Sequence, residues 1–243
     1  VIHSKSVQYL GSLLADAGQV EDPALAAHLR RQCLRLYRLL THSDFLHDPP
    51  LTEQLRLHHI DLSALCFDAV QAALQNGPAK GTKDITVTAP NRCDALVEPQ
   101  LVRTALYNLL SNALRVTPMP GDITVTLHDD HTFFTISVAD RGPGLHAETF
   151  QALLTGWQRS VSLEDYLALA RQGAPLGLGL PLVHRIAQLH GGSLLLSPRE
   201  GGGSILHLSL ARLPESLADH NLRAPMILED GYSLEEIEFS IFD

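Results

Sequence analysis

The sequence is poor in cysteine, in positive charge and in long apolar runs, and each shortage argues against a class of function. Only three cysteines occur among 243 residues. Cys33, Cys66 and Cys93 have no metal-ligand spacing and no obvious pairing, as suits a reducing compartment. Lysine and arginine total 18 against 27 acidic residues, a net charge of −9, which argues against a general nucleic-acid binder with its basic face. No apolar run is long enough to cross a bilayer, so this segment is expected to make no membrane contact. The length and ordinary apolar content still suffice for one good-sized core plus a smaller unit.

What is present is organised around a predicted helix over residues 101–114, LVRTALYNLLSNAL. Leu101, Ala105, Leu109 and Ala113 form one stripe, and Asn108 and Asn112 share another face. Each carboxamide offers a neutral oxygen to a hard cation such as magnesium, which commonly shares oxygen ligands with substrate phosphates. Arg115 points roughly the same way and adds a phosphate-seeking cation. Taken alone, the stretch also reads as an ordinary amphipathic helix with a polar patch.

Two later stretches change that reading. DRGPGL begins at Asp140, directly after the strand-like TFFTISVA, and GLGLPLVHRIAQLHGG begins at Gly177 with a glycine pair opening a helical pattern. In this order, an asparagine helix, D-x-G-x-G and G-x-G-L resemble the N, G1 and G2 boxes of the histidine kinase type of ATPase. The wider superfamily includes gyrase, the heat-shock chaperone ATPases and the mismatch-repair ATPases. The resemblance covers about residues 60–212.

It implies an α+β chain in three parts. Residues 1–55 read as a helical hairpin, with one apolar stripe at Val7, Leu10, Leu13 and Leu14, a break at Gly18 and the EDP around Asp22, and a second stripe from Leu25 to Leu40. Two such helices bury too little alone, so a second copy is expected to complete a four-helix bundle in a homodimer. The hairpin is similar to the dimerisation and histidine-phosphotransfer unit of the kinases, and IDLSALCFDAVQAA resembles the helix that opens their catalytic domain. Residues 56–213 then read as an α/β sandwich that binds ATP. Its strand candidates are ITVTA, DITVTLH, TFFTISVA, SLLLSP and SILHLSLA, in a mixed sheet with three helices on one face. The interval 146–176, with Phe150, Trp157, Arg159 and the helical EDYLALARQ, falls where the family keeps a mobile lid over the nucleotide. Residues 214–243 are an acidic tail with apolar interruptions, expected as a docking strand or a frayed end.

The resemblance also assigns chemistry. Asp140 would accept the adenine amino hydrogen and select ATP over GTP, while Gly142 and Gly144 let the backbone approach the base. Gly177 and Gly179 would bring a helix N-terminus to the phosphates, Asn108 and Asn112 would hold magnesium, and Arg115 and Arg159 would complete the nucleotide site. Pro175 stands where the family usually has one more glycine. Superfamily members that hydrolyse ATP for mechanical work carry a Glu four residues before the magnesium Asn, as a base on water. Asn108 cannot accept that proton, so the pattern fits phosphotransfer or simple nucleotide binding.

The candidate acceptor is His3, whose surrounding HSKSVQYL departs from the family's H-E-x-x-[TN]-P. Ser4 replaces the carboxylate that orients and deprotonates the imidazole, Val7 a polar residue and Gln8 the helix-bending Pro. His28, His42, His58 and His59 read as surface or helix-face residues. Three functions follow: a protein-histidine kinase core that passes phosphate to a response-regulator Asp, a degenerate dimeric module that binds ATP or a regulator, and a serine kinase of the anti-sigma type. The hairpin counts against the last. The absence of an initiator Met points to a trimmed piece of a longer chain, with room upstream for a sensor or a membrane anchor. This segment is expected in the cytoplasm.

Overall fold

A computed structural model of the chain describes residues 22–78, 83–156, 177–214 and 233–242. It opens with helix α1, Pro23–His47, capped by Asp22, whose carboxylate accepts from the backbone N–H of Ala24 and Leu25, with proline in the first turn. The EDP signal therefore starts a helix as well as interrupting one. The first helix of the expected hairpin lies outside the described residues.

A small antiparallel sheet follows, pairing β1, His58–Asp61, with β3, Asp94–Val97. The stretch expected to be wholly helical, IDLSALCFDAVQAA, is divided here. Ile60 and Asp61 belong to β1, and helix α2 runs Leu62–Asn76. Asp61 causes the division, since its Oδ1 accepts from Ser63 N–H as a cap and from Cys93 N–H across the sheet.

The main sheet has five strands: β2, Lys83–Thr88; β4, Gly121–Asp129; β5, Phe133–Ala139; β6, Leu194–Pro198; and β7, Ser204–Ala211. Their order is β2-β4-β5-β7-β6, with β2 and β4 parallel and every other pair antiparallel. The expected mixed sheet is present. Alternation selects its inner face: Ile123, Val125 and Leu127 on β4, Phe134, Ile136 and Val138 on β5, and Leu206, Leu208 and Leu210 on β7 are all buried.

Three helices cover that face, α2, α3 over Pro99–Val116 and α5 over Gly179–Leu189, and their apolar stripes complete one core. Helix α3 is the central one, with Val102, Ala105, Leu106, Tyr107 and Leu109 fully buried. A shorter helix, α4, Ala147–Gly156, contributes Phe150 and Leu154. Among the described residues no helix is long and apolar enough to cross a membrane.

The C-terminal residues form neither a strand nor a frayed end where they are described. Ser233 and Glu236 make a reciprocal capping box that starts helix α6, Leu234–Glu238. Phe239 then inserts into the main core, its ring 5.3 Å from that of Tyr107. A capping box with an acidic member and a buried aromatic explain the helix.

Candidate functional site: a nucleotide cradle on the asparagine helix

Helix α3 ends at Val116, and the loop after β5 folds against that end. The N–H of Arg141 donates to Thr117 Oγ1 at 3.2 Å. Oδ1 of Asp140 accepts from Gly142 N–H at 2.7 Å and from Ser204 N–H at 3.3 Å. These two bonds fix the carboxylate plane of a side chain only 7% exposed, and Oδ2 has no protein partner among the described residues. A fixed carboxylate with one free oxygen suits an amino group on a planar base.

The glycines are steric requirements here. A Cβ on Gly142 would lie 2.7 Å from Val116 Cγ2, and Gly144 has φ +84°. Gly203, which the sequence reading did not single out, has φ +104°, and a Cβ there would collide with the Asp140 carbonyl. Ser204 was likewise unremarked. Its Oγ accepts from Leu145 N–H at 2.8 Å, so it ties down both ends of the Asp140 loop. The three glycines before SILHLSLA were the available signal. Behind the loop, Asp122 joins Arg141, at 3.0 Å, and Arg199. Hydrogen bonds from Arg141 and Arg199 outweigh desolvation and hold the Asp122 carboxyl below its ordinary range.

The start of α5 meets the middle of α3. A Cβ on Gly179 would lie 2.9 Å from Asn108 Oδ1 and 3.7 Å from Asn112 Nδ2, so the glycine opens the space beside both carboxamides. Gly177 has φ +71°. Asn112 is partly exposed and Arg115 is exposed at the end of the same helix. Packing around Arg115, and secondarily the charge of Arg38, lower the Arg115 pKa. Two guanidinium groups thus approach the carboxamide end of the cradle, where triphosphate charge would be welcome. Among the described residues no cluster of three or more His, Cys, Asp or Glu is placed to hold a metal ion. A magnesium ion would therefore rest on carboxamide oxygen and on the phosphates themselves.

Asn108 itself is fully buried. Its Nδ2 donates to Thr104 O at 2.9 Å and to Glu238 at 3.0 Å, and its Oδ1 accepts from Arg38 Nη2 at 2.8 Å. The last two partners come from α6 and α1, and neither was anticipated. His42, read from sequence as a helix-face or surface histidine, is 5% exposed, with Nε2 2.8 Å from Glu238. His3, Arg159, Trp157 and the EDYLALARQ stretch lie outside the described residues.

Residues 97–214 match the family model described as histidine kinase-, DNA gyrase B-, and HSP90-like ATPase. The chain is 30% identical over 182 residues to histidine protein kinase DivJ of Caulobacter vibrioides, covering 72% of this chain and 29% of that protein. It is 29% identical over 202 residues to adaptive-response sensory kinase SasA of Synechocystis sp., covering 78% of this chain and 49% of that protein. It thus spans less than half the length of these curated relatives. In fold it is similar to full-length ShkA in complex with AMPPNP, with a TM-score of 0.64 at 20% identity, covering 87% of this chain and 45% of that one. Because the aligned stretches of 182 and 202 residues run beyond the ATPase domain at 97–214, the likeness takes in more than that domain: the chain carries the ATPase domain of this superfamily within a core similar to those of the sensor histidine kinases.

Proposed function

We propose that this chain is the ATP-dependent protein-histidine kinase core of a two-component system, working as a homodimer through its hairpin. Asp140 would take the adenine amino group through Oδ2. Gly142 and Gly144 would admit the base, and Gly177 and Gly179 would present the start of α5 to the phosphates. Asn112, with Asn108 behind it, would supply carboxamide oxygen to magnesium, and Arg115 and Arg159 would meet phosphate charge. The fixed Asp140 carboxylate with its free oxygen carries this reading.

In the reaction, an imidazole nitrogen of His3 would bond to the γ-phosphorus of ATP as the bond to the bridging oxygen breaks and ADP leaves. The ring then has a proton to lose. A positioned base is worth roughly a hundredfold to ten-thousandfold in rate, and Ser4 cannot act as one near neutral pH. Transfer is therefore slow, driven by positioning and charge neutralisation. The phosphate would pass next to a response-regulator aspartate.

Calorimetry with ATP and GTP, followed by acid treatment of protein labelled from γ-labelled ATP, tests the reading. Expected are preference for ATP, lost in Asp140→Ala, and acid-labile label that disappears in His3→Gln and rises in Ser4→Glu. Equal affinity for GTP would remove the role of Asp140, and label persisting in His3→Gln would place the acceptor elsewhere. The closed hydrogen bonding of Asn108 favours a second reading, a dimeric module that binds nucleotide or a regulator without efficient transfer. Nucleotide binding with no label even in Ser4→Glu selects it.

A further inference from the structure

Seven described side chains converge where α1, α3 and α6 meet. Arg30 pairs with Glu236 at 2.6 Å on the outside. Arg35 donates to the carbonyls of Ser240 at 2.8 Å and Ile241 at 3.1 Å, closing the end of α6. At the centre Glu238 is 2% exposed. It receives Arg38 Nε at 2.8 Å and Asn108 Nδ2 at 3.0 Å and lies 2.8 Å from His42 Nε2. A carboxylate buried so deeply persists only when charge and hydrogen bonds surround it. Here α1 supplies Arg38 and His42, and α3 supplies the amide.

This arrangement uses up Asn108. Both amide hydrogens are donated, to Thr104 and Glu238, and the oxygen accepts from a guanidinium cation. A divalent cation seeking that oxygen would face Arg38 within hydrogen-bond distance of the same atom, and like charges that close in a poorly solvated site repel strongly. The same contacts bind α1, the helix of the hairpin, to the nucleotide domain. One cluster therefore both occupies an asparagine of the cradle and ties α1 to the nucleotide domain.

We infer that residues 233–242 form an autoinhibitory clamp, which holds α1 against α3 while Asn108 is closed and which magnesium and ATP displace. The inference rests on the nucleotide reading above. Nucleotide that uses Asn108 binds the open form, so by linkage nucleotide opens the clamp and clamp closure weakens nucleotide by the same factor. A contact serving stability alone predicts the opposite: loosening it would leave affinity unchanged or lower.

The test is hydrogen exchange on the full chain with and without magnesium and AMPPNP, with calorimetry on the wild type and Glu238→Gln. In the wild type the amides of 233–242 should lose protection when nucleotide saturates. Glu238→Gln should show that loss without nucleotide and bind AMPPNP about tenfold more tightly, within the usual range of coupling between sites. Protection that is unchanged or increased, beside measurable binding, overturns the clamp and leaves the nucleotide reading standing. Binding by Glu238→Gln alone supports the clamp in its strongest form, and no binding by either protein overturns both readings. If Glu238→Gln fails to fold, exchange in the wild type decides the question by itself.

Discussion

A methyl group added at Gly142 would press on Val116 at 2.7 Å and on Asp140 Oδ1 at 3.0 Å, so a single carbon there strains the cradle from both sides. Overpacking of this kind costs typically about 1–3 kcal/mol. Gly142→Ala should lower thermal stability by about that much and weaken ATP at least about tenfold, because the carboxylate that meets the base is displaced. His190 offers a second single-residue test. It is fully buried, its Nδ1 donating to Ile186 O at 2.8 Å and its Nε2 accepting from Glu98 N–H at 3.0 Å. Only the neutral ring makes both bonds, and burial pushes its pKa down. The folded value is therefore below the unfolded one. Its stabilisation is complete above the unfolded histidine pKa, about 6.5, and drains away as pH falls below that toward the folded value. Melting temperature should drop between pH 7.5 and 5.5, with a smaller drop in His190→Gln. At this scale Asp140, Gly142, Asn112 and Gly179 were legible because each belongs to a compact motif. Glu238 was not, because its partners Arg38 and Asn108 stand 200 and 130 residues away and no local pattern marks a charge that will be buried by distant chain.

Elements were legible where their period was long enough to repeat. The nine residues of β4 and the eight of β7 alternate cleanly between the core and the other face, and the fourfold stripe of α3 marks its buried side. Strands β1 and β3 escaped because four residues each give too few alternations to separate from a helix start or a turn. Helix α6 is too short for periodicity to reveal, its capping box being the one local signal, and its stability is largely tertiary. Burial by itself would raise the Glu238 carboxyl, but the charges of His42 and Arg38 and their hydrogen bonds prevail and hold it below the ordinary glutamate range. The share of α6 docking that the Glu238 carboxylate contributes is therefore complete above the unfolded glutamate value and is lost as pH falls through it toward the lower folded one. Limited proteolysis should spare residues 233–242 at pH 7 and cut them faster near pH 4. Equal cutting at both values would refute this account of its docking.

For the molecule as a whole, α1 leaves Leu25, Leu29 and Leu36 between 37% and 48% exposed, along a helix whose opposite side meets α6. Exposed leucines at this spacing are the kind of stripe that a second hairpin covers. Light scattering should give a dimer for the full chain at micromolar concentration. A chain beginning near residue 55 should be a monomer, and a monomeric full chain would rule the bundle out. The long reach of α6 has a further consequence, for the order of events at synthesis. Every strand of the main sheet has been made once Ala211 is joined, whereas Glu238 comes 27 residues later, the difference of those two positions. Chain order thus completes the residues of the sheet and of the asparagine helix first, and the carboxylate that closes Asn108 is the last member of its cluster to be joined.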